Sequence, residues 1–246
     1  MIYETFKKGT GSKLAVLIDP DKHDTASLLR LINHADNCKA DYLFIGGSLL
    51  LEANFEATVQ TIKDHSQTPL IIFPGNNYQL SALADAILFL SLISGRNPEY
   101  LIGQQVVAAP TVKKLGLEAI PTGYMLVDGG RVSATSYMTQ TVPIPNDKTD
   151  IAVATAQAGE LLGMKLIYLE AGSGAKDTVS AAMIKEVKRH ISIPLIVGGG
   201  IRSAEQAEEI CKAGADVIVV GNALEETPGL LMEISLAVHG VNKAKA

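Results

Sequence analysis

Eight short apolar runs recur along the 246-residue chain, and each stops abruptly at Gly, Asp, Glu, Ser or Pro. They occupy residues 14–18, 42–45, 70–73, 86–90, 123–127, 166–169, 195–197 and 217–220. Runs this short and this continuously apolar are what strands buried on both faces look like, which is the condition of a parallel sheet. Between most of them the apolar spacing changes to the helical period. Helices are predicted over residues 25–35, 55–65, 99–115, 149–162, 178–190, 204–213 and 229–238. The connection between the third and fourth runs is too short for a full helix, so one helix is expected to be reduced or missing. Residues 131–146, rich in Ser, Thr and Pro, read as an irregular excursion with room for one short extra strand.

This alternation predicts a (β/α)8 barrel (a TIM barrel) in one domain spanning residues 1–246, a length close to the ~250 residues typical of the fold. A doubly wound open sheet is the alternative. Polar residues at every strand end favour the closed barrel, because its site draws on all the βα loops. The net charge of −5 and the scattered basic residues argue against a nucleic-acid partner. The first residues carry no apolar run, and the longest oily stretch falls well short of the ~20 residues of a membrane span. A cytoplasmic protein is therefore expected. Cys38 and Cys211 have no CxxC spacing and read as reduced core residues. The five histidines show no ligand spacing, so neither zinc nor a Ser-His-Asp triad is expected.

The strand ends carry the chemistry. Glu170 closes the sixth run and is followed by Gly172-Ser173-Gly174, the layout of a catalytic base beside an anion cradle. Gly198-Gly199-Gly200 and Gly221-Asn222 close the seventh and eighth runs, where barrel enzymes frequently bind phosphate. The simpler reading of these glycines is that they permit tight βα turns. Asp19 follows the first strand and Ser48 the second. Together they offer hard oxygens suited to Mg²⁺, which keeps its other positions for water and phosphate. Equally, each could cap the helix that follows it.

Read together, Leu17-Ile-Asp-Pro-Asp-Lys22, Tyr168-Leu-Glu-Ala-Gly-Ser-Gly-Ala175, Val197-Gly-Gly-Gly-Ile-Arg-Ser203 and Val220-Gly-Asn-Ala223 closely resemble the geranylgeranylglyceryl phosphate synthase family, to which the bacterial heptaprenylglyceryl phosphate synthases are related. The resemblance implies Mg²⁺-dependent transfer of a prenyl group from a prenyl diphosphate to sn-glycerol 1-phosphate, forming an ether-lipid precursor. Matched by motif, Asp19 and Ser48 would hold Mg²⁺. Tyr168, Leu169, Glu170, Ala171, Gly172, Ser173, Gly174, Gly199, Gly200, Gly221 and Asn222 would bind the glycerol phosphate. One departure stands out: Leu17 occupies a position where other branches of the family carry Lys. Its cationic contact would have to come from Lys22, Arg96 or backbone N–H groups.

In that chemistry Glu170 takes the proton of the attacking hydroxyl. The lipid tail needs an apolar groove beside strands three and four, with Tyr100 as a candidate limit on its length. A C20 donor, a homo-oligomer and transient membrane contact of the lipid product complete the expectations. A phosphosugar isomerase on the same scaffold is the alternative enzyme. An aldolase would need a Schiff-base Lys on an inner strand, and none of the eight runs contains one. A non-catalytic module that binds prenyl lipid is the alternative of another class.

Overall fold

The computed structural model describes residues 1–7, 11–51, 54–221 and 229–245. Its strands are β1 (Lys13–Ile18), β2 (Tyr42–Ile45), β3 (Leu70–Ile72), β4 (Ala86–Leu92), β5 (Glu118–Leu126), β6 (Leu166–Glu170), β7 (Leu195–Gly198) and β8 (Val217–Val220). They pair in chain order, all parallel, and β8 closes onto β1. The expected closed barrel is the observed one.

Around it lie α1 (Ile2–Lys7), α2 (Thr25–Asn37), α3 (Phe55–His65), α4 (Gln104–Leu115), α5 (Ala134–Thr139), α6 (Thr149–Leu161), α7 (Ala181–His190), α8 (Ala204–Ala213) and α9 (Leu230–Lys245). Side-chain caps start the regular helices where the sequence supplies them. Asp24 accepts from the Ser27 N–H at 2.7 Å, and Ser180 and Ser203 cap α7 and α8 in the same way. Between β3 and β4 the chain makes only turns and bends, as the short connection predicts. None of the described helices is long and apolar enough to cross a membrane.

Successive side chains on a strand face opposite ways, and this sorts the apolar residues into two cores. Val16, Ile45, Ile72, Met125, Leu169 and Val197 pack outward against the helices. Ala15, Phe44, Ile71, Leu88, Tyr124, Tyr168 and Val219 pack inside the barrel. The inner core contains a column of rings. Phe6 of α1 stacks on Tyr42 at 4.7 Å, Tyr42 contacts Phe44, and Phe44 contacts Phe73. Phe73 then meets Tyr124 and Tyr168 at 5.9 and 5.0 Å. Helix α1 thereby plugs the barrel floor, its first amides from Ile2 and Tyr3 donating to the Glu118 carboxylate at 2.6 and 2.9 Å.

Two expectations about local structure need correction. Strand β5 begins at Glu118 rather than near Gly123, because Pro121 and Thr122 interrupt its apolar run without breaking its pairing to β4. The excursion after β5 contains helix α5, opened by a Ser133–Ser136 capping box, and pairs with the barrel backbone through a single bridge between Val127 and Ile144.

Candidate functional site

The C-terminal ends of the strands surround one cavity of about 320 Å³. One side is polar and glycine-rich, formed by Gly172, Ser173, Gly174, Gly199, Gly200 and Gly221 with the Arg202 side chain. Across the mouth lie Asp19, Gly47 and Ser48. Between β4 and α4 the lining continues as a largely apolar arm formed by the outward-facing Ile87 and Phe89 with Tyr100, Gln105 and Ala108. An anionic head and an apolar tail would each meet a matching wall.

Glu170 lies against the glycine-rich side, beside Tyr168 and Tyr124. It is 7% exposed, and its Oε1 accepts the Gly172 N–H at 2.7 Å. Burial pushes its carboxyl up to about 7, opposed in part by the Gly172 amide and by Tyr168. A carboxylate poised near neutrality is what a general base requires. The buried Tyr168 hydroxyl interacts with this carboxyl but makes no hydrogen bond of good geometry. Burial and the neighbouring Glu170 hold the pKa of both Tyr168 and Tyr124 well above the usual phenol value.

The adjacent glycines make room for this carboxylate. A Cβ on Gly198 would come within 2.5 Å of the Tyr168 hydroxyl and 2.9 Å of Glu170 Oε2. Gly199 and Gly200 adopt φ of +87° and +75°, conformations open to glycine and unfavourable for other residues.

The Asp19–Ser48 side is built by interlocked loops. Asp19 Oδ1 accepts the Asp21 N–H at 3.2 Å, so it does cap the short 3₁₀ turn Pro20–Lys22. Ser48 does not cap the next helix, a role taken by Asn54; its hydroxyl lies 3.3 Å from that of Thr135 on α5. The buried Gln79 fixes the loop beneath it, accepting from Gly47 and Gly75 N–H and donating to the Gly47 carbonyl at 2.8 Å. A Cβ on Gly47 would stand 3.0 Å from Asp19 Oδ1, which places the carboxylate beside the residue preceding Ser48. One carboxylate and one hydroxyl, both hard oxygen donors, fit a Mg²⁺ that keeps most of its shell for water and phosphate. Among the described residues no group of three or more His, Cys, Asp or Glu side chains gathers around a metal position.

The remaining expected residues divide by strand alternation. Tyr168 and Glu170 face inward, whereas Leu169 and Ala171 pack into the outer core and do not line the cavity. Asn222 lies outside the described residues. Leu17 lines the cavity where the related Lys would stand, close to Gly221. Neither Lys22 nor Arg96 lines it; the Arg96 guanidinium turns to the Gly95 carbonyl at 2.7 Å. Among the described lining residues the cation is Arg202, its guanidinium donating to the Gly174 and Lys176 carbonyls. Sequence reasoning passed over Arg202 although it lies within the glycine motif. It also passed over Tyr124, which stands directly opposite Tyr168 in the β5–β6 register.

Comparison with known proteins agrees with this geometry. The model of the PcrB family matches residues 9–239. The geranylgeranylglyceryl phosphate synthase of Chitinophaga pinensis is 52% identical over 97% of this chain and 96% of its own. That of Korarchaeum cryptofilum is 44% identical over 91% of each. Among solved structures, (S)-3-O-geranylgeranylglyceryl phosphate synthase of Thermoplasma acidophilum, in complex with its substrate sn-glycerol-1-phosphate, superposes with a TM-score of 0.90 at 32% identity, covering 96% of both chains.

Proposed function

The chain belongs to the PcrB family, and on that premise we propose that it is a prenyltransferase that joins a prenyl diphosphate to the C3 hydroxyl of sn-glycerol 1-phosphate. The product is an ether-lipid precursor and the leaving group is diphosphate. The observation that carries this reading is the position of Glu170, buried against a glycine-rich polar wall in a cavity that also has apolar lining from β4 and α4. The relative solved with glycerol phosphate and the names of the curated relatives support it.

Glycerol phosphate occupies the polar wall. The turns at Gly172–Gly174, Gly199–Gly200 and Gly221 allow close approach of its phosphate to backbone amides, and Arg202 supplies positive charge at the rim. Glu170 holds the C3 hydroxyl and takes its proton as the oxygen attacks. A pKa near 7 lets the carboxylate be ionised at neutral pH and still basic enough to accept that proton. The prenyl tail lies in the apolar arm, with its diphosphate towards Asp19 and Ser48. Asp19 and Ser48 would hold Mg²⁺ there, and its chemistry would be to neutralise charge on the departing diphosphate. Fixing both substrates in line contributes further, since positioning alone can lower a bimolecular barrier substantially.

Incubation with labelled sn-glycerol 1-phosphate, Mg²⁺ and a panel of C15, C20 and C35 diphosphates tests the reading directly. A labelled prenyl ether is expected, with C20 the preferred donor. Isomerisation of a sugar phosphate with no transfer to any prenyl donor would instead select the isomerase alternative.

A further inference from the structure

Tyr124 has no role in the assignment above, and its surroundings suit one step of the reaction. It lies on β5 opposite Tyr168, 7% exposed, and its ring stands 5.4 Å from Tyr168 and 5.9 Å from Phe73. Phe73 and Tyr168 stack on each other at 5.0 Å, within 11° of parallel. All three rings line the cavity, as does Glu170. Among the described lining residues the only cation is Arg202, which is held at the rim by carbonyls. The inner wall beside Glu170 is thus made of π systems, phenol oxygens and one carboxylate. It is electron-rich and largely withdrawn from water.

Such a wall would not suit diphosphate, but it would suit a developing cation. Resting on the transferase reading, we propose that Tyr124 is a further catalytic residue, its π system stabilising the positive charge that builds on the allylic C1 of the prenyl donor. The C1–O bond breaks with its electron pair passing to diphosphate. The glycerol C3 oxygen forms the new bond to C1, and its proton passes to Glu170. Because Glu170 holds the attacking oxygen, the carbon it attacks lies within a few ångströms of that carboxylate, in the space walled by Tyr124 and Tyr168. A desolvated cation beside an aromatic ring gains more than one in water, and the gain exists only while the charge is present.

The test is a series at position 124 read by single-turnover rate, with sn-glycerol 1-phosphate, Mg²⁺ and geranylgeranyl diphosphate. Tyr124→Phe keeps the ring and should stay within about threefold of the unmodified protein, whereas Tyr124→Leu should lose roughly tenfold to thirtyfold. Replacing Phe at this position by mono-, di- and trifluorinated phenylalanines drains the ring's negative face while nearly preserving its shape. The logarithm of the rate should fall steadily with each fluorine, and a donor fluorinated at C2 should slow the reaction further. The fluorinated series remains decisive even if Tyr124→Leu fails to fold. A flat series, or a large loss in Tyr124→Phe that fluorination does not deepen, would overturn the π role and assign Tyr124 to hydroxyl positioning. No turnover by the unmodified protein would instead remove the transferase reading on which the inference stands.

Discussion

Gly199 approaches Glu170 so closely that a Cβ at position 199 would lie 2.4 Å from the carboxylate Oε1 and 2.7 Å from the Gly172 nitrogen. The same Gly172 N–H donates to Oε1, so the glycine, the carboxylate and the β6 turn occupy one small space. The backbone at 199 also has φ +87°, which a side chain would strain independently of the clash.

Gly199→Ala is therefore expected to push the Glu170 carboxylate out of register and to cost about 1–3 kcal/mol of stability. Gly116→Ala provides the control. That residue ends α4 with φ +69°, but no atom lies within 4 Å of the Cβ position. Both variants should lower the melting temperature, while only Gly199→Ala should also lower kcat. Equal kcat in the two would detach the glycine from the base.

The raised carboxyl of Glu170 makes two pH predictions. For a base that must be ionised, kcat/KM of the free enzyme should fall with unit slope as pH drops below about 7. Stability runs the other way. The folded protein holds the proton more tightly than the unfolded chain, so stability is greatest in acid and declines between about 4.5 and about 7, then levels off. Glu170→Gln removes the titration. Its unfolding free energy from urea titration should show less decline between pH 5 and pH 8, the difference being on the order of 3 kcal/mol. The same variant should lose roughly 10²–10⁴ in kcat.

Much of this is legible in the sequence alone. Glu170 stands out because a buried apolar strand ends at a lone carboxylate and then at glycines, a pattern that depends only on local sequence. The barrel is equally legible, since eight polar strand ends impose a common mouth. Tyr124 was not, because whether a residue faces inward depends on strand register, and Pro121 hid the true start of β5. The same alternation turns Leu169 and Ala171 outward, although a contiguous motif seemed to include them. The floor plug escaped notice for a different reason. Phe6 lies in a short helix of mixed character, and only the stack on Tyr42 shows its purpose.

The plug can be separated from the chemistry. Phe6 is 2% exposed, and its helix lies at the opposite end of the barrel from Glu170. Phe6→Ala should cost about 3–5 kcal/mol, the usual range for losing a buried Phe. At a temperature where the variant remains folded, its KM for both substrates should match that of the unmodified protein. A changed KM at full folding would mean that the ring column transmits movement from floor to mouth.

The two phosphate-binding sides should also separate. Asp19→Asn removes the carboxylate beside Gly47 and Ser48 while leaving the wall at Gly199, Gly200 and Arg202 intact. Affinity for prenyl diphosphate in Mg²⁺ should drop, and Mg²⁺ should no longer enhance it, whereas glycerol phosphate affinity should change little. Calorimetry showing the reverse would exchange the two sites.

Tyr100 governs the last prediction, that of tail length. It stands in the π-helical turn Glu99–Gly103 ahead of α4, lines the apolar arm, and donates its hydroxyl to the Met138 carbonyl on α5 at 3.3 Å. The ring thus reaches from the start of α4 towards α5. A donor longer than the space in front of the ring must displace it or leave carbons in water. Each CH₂ left exposed forgoes about 0.8 kcal/mol, so a donor one isoprenoid unit too long for the space in front of the ring loses several kcal/mol of burial while the ring stays in place. Tyr100→Ala should therefore raise kcat/KM for a C35 donor relative to C20 and leave glycerol phosphate affinity unchanged. Tyr100→Phe, which keeps the ring and loses the bond to Met138, should relax the preference only partly. If C15, C20 and C35 donors keep the same ranking in both variants, the length stop lies deeper in the arm, where Gln104 and Gln105 line it.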